Sequence, residues 1–105
     1  GLWAQWRLEE AGGGLREPGG SVLLSCRGSG FSFQHYGVGW YRQSPRGSLE
    51  WVSYISGDSS INQRSSAVEG RALVSRNNSR SESSLSLWDL HPQDSGRYFC
   101  TIHTG

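Results

Sequence analysis

The chain has 105 residues, enough for one domain and one hydrophobic core. Of these 34% are apolar, charges of both signs are mixed, and the formal net charge is +1, which leaves no electrostatic footprint for nucleic acid or an anionic membrane. No run approaches the ~18 apolar residues of a membrane span, so no membrane insertion by this domain is expected.

In chain order, the opening GLWAQW is too short and has no basic start for a secretory leader, so a mature chain is expected. Glycine then punctuates the chain: GGG at Gly12 to Gly14, PGG at Pro18 to Gly20, GSG at Gly28 to Gly30 and SPRGS at Ser44 to Ser48 read as turns or bends. SVLLSC alternates, with Val22, Leu24 and Cys26 on one face and Leu23 on the other. ALVS puts Ala72 and Val74 together, LSLWDL Leu85 and Leu87, and RYFCTI Tyr98, Cys100 and Ile102. RNNSRSESS, Arg76 to Ser84, reads as an exposed turn running into a strand. LHPQDS is helical for a single turn at most. Short strands at intervals of about 8–12 residues, separated by turn signals, predict an all-β antiparallel sandwich or barrel covering residues 1–105 as a single domain.

Several constellations carry no chemistry of their own. His35, Asp58 and Ser56 could be imagined as a hydrolytic triad, but no nucleophile elbow or oxyanion arrangement accompanies them, and no enzyme is expected. His35 and His103 lack a third ligand, and no CxxC or HxxxH occurs, so no metal and no cofactor is expected. AGGGL lacks the Lys-Ser/Thr of a phosphate loop and reads as a bend in the first strand. His91 belongs to the polar turn before the last strand. Cys26 and Cys100 are either two free buried thiols or a bridge; a bridge closing so long a loop stabilises by about 4 kcal/mol in the chain-entropy model and implies an extracellular protein. In that setting Asn77-Asn78-Ser79 is a sequon, with Asn77 a possible N-glycosylation site.

Cys26 is followed fourteen residues later by Trp40, and DSGRYFC ends on Cys100 with Tyr98 two residues before it. This pattern resembles the immunoglobulin variable domain. LEEAGGGLREPGGSVLLSC, GFSF, WYRQSPRGSLEWVSYIS, EGR and SRNNS extend the resemblance to the heavy-chain variable type from Leu8 to Ile102. It implies a variable-type sandwich with Cys26 bridged to Cys100, Trp40 packed on the sulfurs, the Tyr98 hydroxyl bonded to nearby backbone, and Arg71 facing Asp94. Ala72 and Ser83 stand where larger inward residues are usual, which implies a looser core. Trp3, Trp6 and Trp88 are extra aromatics without an evident partner.

The resemblance also implies function. With Trp40 inward, period two turns Tyr41 and Gln43 outward, and Phe99 with them; Leu49 and Trp51 join that face from the neighbouring strand. Such an apolar face implies pairing with a second, light-chain-like variable domain, although an aromatic at Tyr41 also suits unpaired camelid domains and T-cell-receptor-type chains. Three loops are expected to bind antigen. The first exposes Gln34, His35, Tyr36 and Gly37 above anchors Phe31 and Phe33; the second offers Tyr54, Ser56, Asp58, Ser59, Ser60, Asn62 and Arg64; the third starts at Thr101 and holds Ile102, His103, Thr104 and Gly105. No Phe/Trp-Gly-x-Gly segment follows TIHTG, so the last strand is expected to be absent. Tyr98 to Ile102 would then be an open edge, and a structural or assembly subunit accepting a partner's strand there is the alternative function.

Overall fold

Alternating apolar and polar side chains can bury one face of an extended segment and wet the other, and each alternating run becomes a strand. The computed structural model describes residues 6–103. Its strands are β1 (Arg7–Gly12), β2 (Val22–Ser29), β3 (Gly37–Gln43), β4 (Leu49–Ile55), β5 (Asn62–Arg64), β6 (Ala72–Asn77), β7 (Glu82–Leu87) and β8 (Arg97–His103). They form two four-stranded antiparallel sheets, ordered β1-β2-β7-β6 and β5-β4-β3-β8. The only helical pieces among the described residues are 3-10 turns of three residues, including Pro92–Asp94 in the LHPQDS stretch. Residues 1–5, with Trp3, and Thr104 and Gly105 lie outside the described residues.

The two inner faces meet in rows set by the register. Val22, Leu87 and Ala72 lie side by side on β2, β7 and β6, and Leu24, Leu85 and Val74 form the next row. Leu85 and Leu87 are sealed from solvent, while Leu23 points out at 60% exposure. Ser83 sits fully buried in the third row beside Cys26, and its hydroxyl donates to the Ser75 carbonyl at 2.8 Å. That satisfied hydroxyl is what a small polar residue needs to be tolerated there.

Cys26 on β2 and Cys100 on β8 are joined by a disulfide that links the sheets. Trp40 is paired with Cys100 in the β3–β8 register and is 1% exposed, so its indole fills the layer beside the sulfurs. A β-bulge opposite Trp40 and Tyr41 leaves Val52 unpaired, so that Val52 and Ser53 are both buried in succession. The bulge pairs Trp51 with Tyr41.

One charged cluster closes the far end of the sandwich. Arg71 donates to both carboxylate oxygens of Asp94, at 2.8 and 3.0 Å, and to the carbonyls of Ala67, Trp88 and Asp89. The His91 amide donates to the same carboxylate at 2.7 Å, and the Tyr98 hydroxyl donates to the Asp94 carbonyl at 2.7 Å. This fork geometry suits a guanidinium and no other cation.

Candidate recognition surface

The β2–β3 and β4–β5 connections and the turn after β6 gather at one end of the sandwich. Their meeting point is Arg76, which alternation places on the inner face after Ala72 and Val74. Its guanidinium lies 4.6 Å above the Phe33 ring and donates to the carbonyls of Phe33 and Ser56, while its Nε donates to the Asn78 side chain at 2.6 Å. Asn78 in turn donates to the Gly57 carbonyl at 2.8 Å. One half-buried cation, with no carboxylate paired to it among the described residues, thereby holds both candidate loops by their backbones, and burial pushes its pKa below the usual guanidinium value. Neither Arg76 nor Asn78 was among the expected site residues. The period-two continuation of Ala72 and Val74 is the signal that points to Arg76.

In the first loop Phe33 is buried and Gln34 and His35 are exposed. Phe31 is only half-buried. It stacks on Trp6 at 4.9 Å, and Tyr36 approaches both rings at 5.2 and 5.8 Å. Trp6 thus finds its partner on this loop, an outcome no local pattern predicts. Gly37 departs from the expected exposed tip. It is buried at the start of β3, under the Tyr54 ring, where a Cβ would run into the phenol.

In the second loop Asp58 organises the turn. Its carboxylate accepts from the Ser60 amide at 2.9 Å and the Ser56 hydroxyl at 3.0 Å, and Ser59 takes a left-handed φ of 66°. Hydrogen bonds from Ser60 and then Ser56 lower the Asp58 pKa to about 2. Ser56 therefore spends its proton on a carboxylate, and among the described residues no hydrogen bond ties His35 to either group, so the imagined triad is not assembled. Asn62 and Arg64 stand on β5, paired with Ile55 and Ser53, and Tyr54 stands on β4; they are strand residues flanking the loop. The exposed tip is residues 58–61, with Ser59 and Ser60 among them.

The third expected loop also proves shorter. Thr101, Ile102 and His103 continue β8, in register with Gly39, Val38 and Gly37. His103 lies over Gly39, whose missing side chain makes the room. There His103 meets the Tyr54 ring edge-on at 5.2 Å and its Nε2 lies 3.3 Å from the Tyr41 hydroxyl. Tyr41 stacks on Phe99 at 5.9 Å, and the Arg97 guanidinium covers the other ring at 5.4 Å. Leu49, 61% exposed, pairs with Gln43, and Trp51 is 38% exposed beside Tyr41. Ring contacts run from Tyr54 through His103 and Tyr41 to Phe99, down the outer face of the β5-β4-β3-β8 sheet, with Trp51 beside Tyr41 in register. The described residues contain no cluster of three or more metal-ligating side chains, and no helix among them is long and apolar enough to cross a membrane.

Removal of the Arg76 guanidinium tests what holds the loops. Arg76→Ala is expected to speed amide exchange at Tyr36 and across residues 56–61 at least tenfold while the central strands stay protected, read by hydrogen exchange with mass spectrometry. Unchanged exchange at both loops would show that they hold themselves.

Sheet order, inter-sheet disulfide and buried indole agree with a comparison against known families: the profile of the Immunoglobulin V-set domain matches residues 15–105. Such domains are typically extracellular, non-enzymatic modules that bind ligands or pair with other immunoglobulin domains. With that match spanning nearly the whole chain and the two sheets bridged as described, the protein belongs to the immunoglobulin V-set domain family.

Proposed function

We propose that the chain is a heavy-chain-like variable domain that recognises antigen through its loop end and pairs with a second, light-chain-like variable domain through the outer face of the β5-β4-β3-β8 sheet. The observation that carries the reading is the run of ring contacts from Tyr54 through His103 and Tyr41 to Phe99, with the exposed Trp51 and Leu49 on the neighbouring strand of the same face. A solitary domain exposes single apolar residues; a contiguous patch of this kind asks for a cover. Gln43 sits at its lower edge, where its amide can hydrogen-bond a polar counterpart. At the loop end Tyr36, tilted against Trp6 and edge-on to Phe31, offers a ring whose position is already set, and Ser59, Ser60, Gln34 and His35 offer adaptable polar groups around it. Binding is expected outside the cell, where the disulfide persists.

Two sets of variants separate the two surfaces. Tyr36→Ala is expected to weaken antigen binding and leave domain pairing intact; Trp51→Ala and Phe99→Ala are expected to weaken pairing by about 2 kcal/mol each, roughly thirtyfold in Kd, as aromatic anchors do. Analytical ultracentrifugation with a panel of light-chain-like and T-cell-receptor-type domains reads the pairing. A chain that stays monomeric with every member at high concentration contradicts it, and preference for the second group would make this a T-cell-receptor-type chain.

A second reading has its own observation. Among the described residues β8 pairs only with β3, and a groove of about 640 Å³ reaches the start of β8 at Arg97 and Tyr98, lined on its other side by Gly12 to Pro18. An assembly subunit would take a partner's strand there. Strong protection of the Tyr98 to Ile102 amides in the isolated chain would argue against an edge open to a strand.

A further inference from the structure

The other sheet, β1-β2-β7-β6, turns its own outer face to solvent, and that face also carries apolar side chains. Leu23 on β2 and Leu73 on β6 are 60% and 56% exposed. Both are in register with Ser86 on the intervening β7, whose short side chain leaves a shallow trough between them. Trp88, two residues beyond Ser86, is 41% exposed at the end of that trough. The flanking outward rows are polar: Ser25, Ser84 and Ser75, then Arg27, Glu82 and Asn77.

Asn77 belongs to this face. Exposure alternates along β6 through Leu73, Ser75 and Asn77, and β6 is the edge of its sheet. Asn77 is extended, with φ −127° and ψ 97°, immediately before the 3-10 turn Asn78–Arg80. The Ser79 hydroxyl donates to Asn77 Oδ1 at 2.6 Å, and Asn77 Nδ2 makes no hydrogen bond among the described residues. Its neighbour Asn78 is committed inward, to Arg76 and Gly57, so the two adjacent amides are told apart by the fold. The Asn-Asn-Ser sequence places an acceptor amide two residues before a hydroxyl, the spacing at which secreted chains take N-linked sugar. The disulfide independently points to an oxidising, secretory compartment.

We propose that Asn77 is N-glycosylated and that its oligosaccharide lies along the outer face of the β1-β2-β7-β6 sheet, covering the Leu23–Leu73–Trp88 trough. The donor is a lipid-linked oligosaccharide pyrophosphate. Asn77 Nδ2 forms a bond to the anomeric carbon as the bond from that carbon to the pyrophosphate oxygen breaks. The amide gives up one proton, the lipid pyrophosphate leaves, and nothing is oxidised or reduced. From Asn77 to Leu73 is four residues of strand, about 13 Å, within the span of a branched core oligosaccharide. The C–H faces of its pyranose rings suit Leu and Trp side chains. The placement fits one domain with two apolar outer faces: sugar screens one and leaves the other, on the opposite sheet, free for a protein. It does not depend on which protein that is.

The full chain, secreted from cultured animal cells, tests both halves. Intact mass is expected to fall after treatment with peptide N-glycosidase in heavy-oxygen water, with labelled Asp at position 77. Asn77→Gln and Ser79→Ala are each expected to abolish the difference. A secreted chain with the unmodified mass overturns the proposal. For coverage, enzymatic removal of the sugar from the folded protein is expected to raise fluorescence of an apolar-surface dye and self-association several-fold. Leu23→Ser combined with Leu73→Ser is expected to cancel that rise. Sugar present at Asn77 with dye binding unchanged on its removal overturns the covering role.

Discussion

Replacement of Cys26 and Cys100 together by Ala is expected to lower stability by about 4 kcal/mol, the figure the chain-entropy model gives for so long a closed loop. The two sulfurs stand 74 residues apart in the chain, so the unfolded protein without the bridge explores a far larger space. The folded protein loses contact atoms as well. Cys26 is completely buried and Cys100 is 6% exposed, next to the Trp40 indole, and truncation of both leaves a gap that the flanking strands can only partly close. Small domains have about 5–15 kcal/mol to lose, so the variant is left marginal at body temperature. Equilibrium urea unfolding reads two quantities at once. The midpoint is expected to fall sharply, and the slope of free energy against denaturant is expected to rise, because an uncrosslinked unfolded chain exposes more surface. A midpoint within error of the parent's would show that β2 and β8 are held by packing alone.

The second large loss is expected from Asp94→Ala, about 3 kcal/mol, because it leaves the Arg71 guanidinium buried without its anion. Both side chains are 11% exposed, so solvent screens the pair only weakly. The deletion also strips a partner from the His91 amide. The same pair sets the acid limit of the fold. Burial pushes the Asp94 pKa up, and the Arg71 hydrogen bonds, the His91 amide and the Arg71 charge together outweigh it, leaving the carboxyl below its ordinary value. Stability from this group is therefore complete above the unfolded carboxylate pKa of about 3.9 and drains away as pH falls through the lower folded value. Asp94→Asn is expected to flatten that acid limb in thermal melts taken from pH 6 downwards to about pH 2. At the other end of the scale, burial and then the Asp94 charge raise the Tyr98 phenol from 10.0 to about 12. Its contribution is whole below pH 10.0 and lost as pH rises towards about 12. An acid limb identical in Asp94→Asn and the parent would mean that other carboxylates govern it.

What was legible in the chain came from patterns that need only one strand at a time. Val22, Leu24 and Cys26 alternate inward wherever β2 is placed, and so do Ala72 and Val74, Leu85 and Leu87. The Cys-Trp-Cys spacing with its preceding Tyr carried the resemblance that implies a layer where the sheets meet, and Tyr98 does donate to the Asp94 carbonyl. Outward residues follow by the same parity, and the resemblance to the variable domain adds that the Tyr41 and Phe99 strands share a sheet, where the two rings stack.

What escaped depends on a partner segment far away in the chain. Strand ends are set by how far the neighbour keeps pairing, so Asn62, Arg64, Ile102 and His103 read as loop and stand in strands. The bulge that buries Val52 and Ser53 in succession comes from the β3–β4 register, which a single strand's alternation does not contain. Gly37 looked like an exposed tip because nothing local announces the Tyr54 ring above it. Arg76 looked like surface because an Arg in a polar stretch usually is; the carbonyls of Phe33 and Ser56, brought in from two other loops, join the nearby Asn78 side chain in making an inward guanidinium tolerable. Local alternation thus determined which side of each strand is dry, since that follows from backbone pleat and side-chain polarity. The closing of loops over one another was decided by the folded whole, since long-range contacts alone supply the partners that buried polar groups require.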